Sequence, residues 1–123
     1  MKLKELTEYF QTNLYEMSYY PSSDTGLLSG TKLWVRTEPG VLPHVKYRIK
    51  LIHSQKGSAV FAIWGDNAIQ VEGDWEVTGD DLRKIQTLVA LTRDHIIKHI
   101  DGEEGSRELG NEFFAVKNEV EKA

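Results

Sequence analysis

His44-Val45-Lys46-Tyr47-Arg48-Ile49-Lys50-Leu51 alternates apolar and basic side chains without a break. Period two is the repeat of a β-strand, whose successive side chains leave on opposite faces. The stretch predicts a strand with Val45, Tyr47, Ile49 and Leu51 on one face and His44, Lys46, Arg48 and Lys50 on the other. Upstream, residues 31–38 repeat the pattern, with Leu33, Val35 and Thr37 opposite Lys32, Trp34, Arg36 and Glu38. The Pro39-Gly40 and Pro43 positions between them read as a turn. Downstream, Ser54 to Ser58 is a second turn signal, and the β-branched and aromatic run Ala59 to Trp64 is a short, mostly buried strand. Gly65-Asp66-Asn67 tolerates the positive φ of a tight hairpin, so Ala68 to Glu72 returns as a fourth strand, with Trp75 and Val77 extending the sheet briefly.

Helical periods flank these strands. Leu3, Leu6, Phe10, Leu14 and Met17 make one apolar stripe and predict a helix over 2–17, followed by a junction rich in tyrosine (Tyr15, Tyr19, Tyr20) and a polar loop from Pro21 to Gly26. Thr78 with Asp81 three residues on reads as a helix start. Leu82, Ile85, Val89, Ile96 and Ile100 then form a stripe that Leu88, Leu91 and Ile97 widen, so this helix is expected to touch neighbours on two sides. Asp101 to Gly105 closes it, and Ser106 is placed to cap a last helix carrying Leu109, Phe113, Val116 and Val120. The order α-β-β-β-β-α-α predicts an α+β fold in which a four-stranded antiparallel sheet is covered on one face by helices. The 123 residues, 40 % of them hydrophobic, suit a single domain over 1–123.

Composition removes several chemistries. With no cysteine there is no disulfide, no thiolate nucleophile and no thiolate metal site. No continuous apolar stretch at the N-terminus suggests a signal or a membrane span, so a cytoplasmic protein without a membrane partner is expected. No Walker, dinucleotide or Gly-x-Ser-x-Gly pattern occurs, and no cofactor is implied.

Charge is distributed unevenly. The chain has a net charge of −4, yet residues 27–58 hold six Lys or Arg against a single Glu, a local +5. Alternation gathers that charge: if Leu33, Val35 and the apolar half of 44–51 point at the helices, Lys32, Trp34 and Arg36 share an open face with His44, Lys46, Arg48 and Lys50. Such a face suits an acidic protein surface, or a nucleic acid with the cations on phosphates and the indole on a base. It also suits plain solvation, since antiparallel sheets commonly leave one face in water.

The histidines are the other candidates. His95 and His99, four apart on the long helix, have the spacing of two ligands to one metal, and His44 at the head of the basic strand is a candidate acid or base. Neither has a motif around it: no Glu follows His95 in the metalloprotease arrangement. His53 opens a turn and is expected to be exposed, and the acids Asp66, Glu72, Asp74, Glu76, Asp80 and Asp81 fall where carboxylates serve local hydrogen bonds.

The segment Leu42-Pro43-His44-Val45, the strand Ala59 to Ile63, the segment Ile69 to Gly73 and the helix from Leu82 to Ile100 with His95 inside it resemble a family of small bacterial domains of unknown function. That family is marked by a Pro-His motif on a strand and is often encoded in operons like those of toxin–antitoxin pairs. The resemblance covers about half of the chain; where the family tends to place a second histidine, two residues after the first, this chain has Lys46. It implies a small accessory protein of bacterial or mobile-element origin. The expectation is a non-enzymatic interaction or regulatory protein that binds an acidic protein through the basic sheet face. Nucleic acid on the same face is the alternative, and a hydrolase or metal enzyme using His44 or the His95/His99 pair comes next. The wide apolar arc of the long helix leaves a second copy of the chain as a further way to cover it.

Overall fold

The computed structural model describes residues 17–36 and 46–123, and within them the fold is α+β. Strands β1 (Met17–Pro21), β2 (Thr31–Arg36), β3 (Arg48–His53), β4 (Gly57–Trp64) and β5 (Asn67–Glu72) form one antiparallel sheet in sequential order. A single-turn helix α1 (Ser22–Thr25) joins β1 to β2, and the chain ends in α2 (Gly79–Ile100) and α3 (Ser106–Lys122). The three- and two-residue connections of β3–β4 and β4–β5 can only fold each strand back on the one before it.

The sheet has five strands rather than the expected four; the additional strand, β1, begins at Met17, the last residue of the helix that the apolar stripe predicts. Its remainder, 2–16, lies outside the described residues. Tyr20 shows why β1 belongs to the sheet. It pairs with Leu33, points to the covered face, meets the Phe113 ring edge-on at 4.9 Å and donates from its hydroxyl to the Ser106 carbonyl at 2.8 Å. A tyrosine so placed joins the sheet edge to α3, burying its ring and keeping its polar tip bonded.

The covered face carries Leu33, Val35, Ile49, Leu51, Ala59 and Phe61, each at most 2 % exposed. Helix α2 lies on this face against β2 and β5, burying Ile85, Leu88, Val89, Ile96 and Ile100, while α3 packs beside it and against α1 through Leu109, Phe113 and Val120. The expectation that α2 touches two sides is met by the sheet and α3, although Leu91 turns outward and is half exposed. Trp75 and Val77 extend no strand but are buried in the same core, held by Gln70, whose amide donates to the Trp75 carbonyl and accepts from the Val77 amide.

The β3–β4 turn is closed by a carboxylate. Asp74 Oδ1 accepts from the Ser58 amide at 2.8 Å and from the Ser58 hydroxyl at 3.4 Å. The preceding residue must be glycine: Gly73 has φ +118°, and a Cβ there would lie 2.2 Å from the Ser58 carbonyl oxygen. His53, expected to be exposed, is 9 % exposed. Its Nδ1 accepts from the Gln55 and Lys56 amides at 3.1 and 3.2 Å, so Nε2 carries the proton and donates to the Ser29 carbonyl at 3.1 Å. A turn histidine with two backbone amides to satisfy is drawn inward. Ser106 likewise does not cap α3; Gly105 occupies the N-cap position and Ser106 is the first helical residue.

Candidate functional site: the open face of the sheet

The register fixes which side chains share the uncovered face. Pairing runs Tyr19–Trp34–Lys50–Val60–Glu72 across all five strands, one side chain from each. On one side of this row Lys32 pairs with Ile52; on the other, Arg36 ends β2 and Arg48 begins β3. Since Trp34 faces Lys50 and Val35 faces Ile49, the next step brings Arg36 beside Arg48. Of the seven residues expected on this face, the structure therefore brings together Lys32, Trp34, Arg36, Arg48 and Lys50. Lys46 is exposed but precedes β3, with its ammonium 5.2 Å from the centre of the Tyr47 ring. His44 lies outside the described residues. The strand expected over 44–51 is observed over 48–53, and Tyr47, at its entrance, is bonded through its hydroxyl to the Asp101 carboxylate at the end of α2.

Trp34 is less available than the alternation implies. It is half-buried, the Tyr19 ring stacks on it at 5.1 Å with a 29° tilt, and its Nε1 is buried with no acceptor among the described residues. Tyr19, 50 % exposed, is the outer ring of this pair and carries the Lys32 ammonium 5.4 Å from its centre. Beside them a shallow pocket of about 220 Å³ is lined by Trp34, Arg36, Arg48, Ile49, Lys50, Val60 and Glu72.

None of Lys32, Arg36, Arg48 and Lys50 makes an ion pair with a described residue, whereas four cations elsewhere in the molecule do. Lys56 pairs with Asp81 at 3.3 Å, Arg83 with Asp80, Arg93 with Asp94 at 3.0 Å and Lys117 with Glu121 at 3.7 Å. Two Arg side by side on adjacent strands repel one another, and an unscreened cluster of this kind destabilises the sheet unless an anion neutralises it.

The partners Tyr19, Val60 and Glu72 were not read from sequence. In sequence Tyr19 falls at the junction after the expected helix, and the signal for a strand there is its neighbour Tyr20, a β-favouring pair. Glu72 is placed by a bulge: Val60 faces Glu72 but Phe61 faces Gln70, so Val71 is an extra residue. In a regular strand Ala68, Gln70 and Glu72 would share the covered face; the bulge turns Glu72 onto the open one.

The second histidine site resolves differently. His95 Nδ1 lies 2.9 Å from Glu104 Oε1 and its Nε2 3.4 Å from Glu112 Oε2, so the ring is gripped between carboxylates at the α2–α3 corner. His99 is 1 % exposed and donates from Nδ1 to the Glu104 carbonyl at 2.8 Å. Both rings thus brace the corner between the two long helices. Among the described residues no group of three or more His, Asp or Glu is arranged to hold a metal ion, and no helix is long and apolar enough to cross a membrane. Comparison of the chain with protein-family models, with curated proteins and with solved structures finds no match.

Proposed function

We propose that the protein is a non-enzymatic interaction module that binds an acidic protein partner through the open face of its sheet. The observation that carries this reading is the set of unpaired cations: Lys32, Arg36, Arg48 and Lys50 lie on one face without a carboxylate partner among the described residues, in a chain with 19 acids to 15 bases. An acidic chain has ample means to neutralise its own cations, and does so for Arg83, Arg93 and Lys117 on the helices. Leaving four bare on one surface favours an external anion. The half-buried, Tyr19-covered indole of Trp34 favours a protein partner over a single-stranded nucleic acid, for which an open ring face is needed. The accessory role implied by the resemblance around Leu42 to Val45 is of the same kind.

The test uses two defined polyanions, poly-glutamate and a single-stranded oligonucleotide of matched charge, titrated into the protein at low and physiological salt. Poly-glutamate is expected to bind, to shift the amide resonances of β2 and β3, and to lose at least about tenfold in affinity in the triple variant Arg36→Glu, Arg48→Glu, Lys50→Glu. Reversing Arg83, which is paired on the helical side, serves as the control. Equal binding by the triple variant overturns the reading, and markedly tighter binding of the oligonucleotide replaces the acidic protein with nucleic acid.

A further inference from the structure

Within that reading, we propose that the pocket bounded by Trp34, Arg36, Arg48 and Lys50 is a subsite for a phosphate monoester, the phosphorylated side chain of the acidic partner. The proposal rests on the open face being a binding surface and concerns which anion its centre selects.

The array is compact. Trp34 and Lys50 face one another, and Arg36 and Arg48 stand one step further along the same two strands. Strand geometry therefore sets three cationic side chains and one indole on a patch of roughly 4.8 Å by 6.7 Å at the Cα level. Long side chains from such a patch can converge on one group. The pocket above them, about 220 Å³, is several times the roughly 30 Å³ share of one water and has room for a side chain with its terminal oxyanion.

Charge then discriminates among oxyanions. Three cations and Glu72 line the pocket, a formal +2. A carboxylate brings −1 and an internal phosphodiester of a nucleic acid also brings −1, but a phosphate monoester carries about −1.5 to −2 near neutral pH and three acceptor oxygens. It is the common biological group that neutralises this pocket nearly in full. Two guanidinium forks and an ammonium match a tetrahedral oxyanion, since the forks can each donate twice and the ammonium acts as a point charge. The phosphoryl group also relieves the repulsion between Arg36 and Arg48, which no described carboxylate does.

Glu72 defines the far wall. It is two strands from Lys50, across Val60, and makes no ion pair with it. At about 9–10 Å of strand spacing it leaves Lys50 to the ligand and repels a second anion beside the first. The subsite therefore accepts one dianion rather than a continuous run of negative charge.

The experiment titrates the full chain with a capped phosphoserine peptide, the same peptide carrying Glu, and a 5′-phosphorylated oligonucleotide, following the Trp34 indole and the β2 and β3 amides by NMR. The phosphoserine peptide is expected to bind at least about tenfold tighter than the Glu peptide and to weaken as pH falls below about 6, where the phosphate takes up a proton. Arg48→Gln is expected to remove most of that preference, and Glu72→Gln to tighten phosphoserine binding by a few-fold. Both residues are at the surface, and retained amide dispersion verifies folding. Equal affinity for the Glu and phosphoserine peptides overturns the subsite, as does binding that Arg48→Gln leaves unchanged or tighter binding of the oligonucleotide end. If poly-glutamate still binds to the open face while phosphoserine shows no preference, the subsite fails and the wider reading stands; if neither binds, both fail.

Discussion

The two faces of one sheet are built by opposite rules. On the covered face the apolar side chains are packed and most polar groups around them are bonded, Gln70 to Trp75 and Val77, Tyr20 to Ser106 and His99 Nδ1 to Glu104, while His99 Nε2 and the Thr31 hydroxyl are buried without a partner among the described residues. On the open face, made by the same strands in the same register, four cations stand without a carboxylate and an indole N–H without an acceptor among the described residues. Apolar burial explains the first arrangement. It does not explain the second, because a cluster of repelling cations costs free energy. The difference separates the half of the sheet that holds the molecule together from the half that is available to something else.

That contrast can be broken most forcefully through Phe61 and Val60, neighbours on β4 that point to opposite faces. Phe61→Ala on the covered face is expected to lower unfolding stability by about 3–5 kcal/mol, while Val60→Ala on the open face costs less than about 1 kcal/mol. Similar losses in chemical denaturation would mean that the open face is also structural. His99→Leu comes next. It keeps apolar bulk in the core but removes the donor to the Glu104 carbonyl, with an expected loss of about 1–3 kcal/mol, whereas Lys32→Gln on the open face is expected to stay within about 0.5 kcal/mol.

The smallest effect concerns pH. The Ser58 amide, followed by Asp74's own amide, holds the Asp74 carboxyl below its ordinary value. A depressed carboxyl contributes stability that is present above its unfolded value, about 3.9, and is lost as pH falls through its lower folded value. Asp74→Asn is therefore expected to flatten the acid limb of the stability curve, lowering stability slightly at neutral pH and converging with the parent protein in acid. Superimposable acid limbs would show that the turn does not depend on that charge.

Much of this contrast is legible in the chain. Alternation at Leu33 and Val35, and at Ile49 and Leu51, assigns the covered face, and the basic residues between them follow on the other side. The periods of Leu82 to Ile100 and of Leu109 to Val120 assign both long helices to within a residue or two. The failures share a cause. Met17 ends a helical stripe in sequence and Tyr19 and Tyr20 follow it at a junction, but pairing with β2 makes all three a strand, because an edge partner outweighs weak local preference. His53 looked like a solvent-facing turn residue until three backbone groups claimed its ring.

The sequence alone determined the α+β class, the long helices, the inward and outward halves of β2 and β3, and the basic character of one face, since all depend on the period and sign of neighbouring side chains. Tertiary structure decided what neighbouring residues cannot specify. The β1 edge put Tyr19 over Trp34, the bulge at Val71 turned Glu72 onto the open face, and the β2–β3 register set Arg36 beside Arg48. Each depends on contacts between residues distant in the chain, where pairing and packing, rather than local preference, set the geometry.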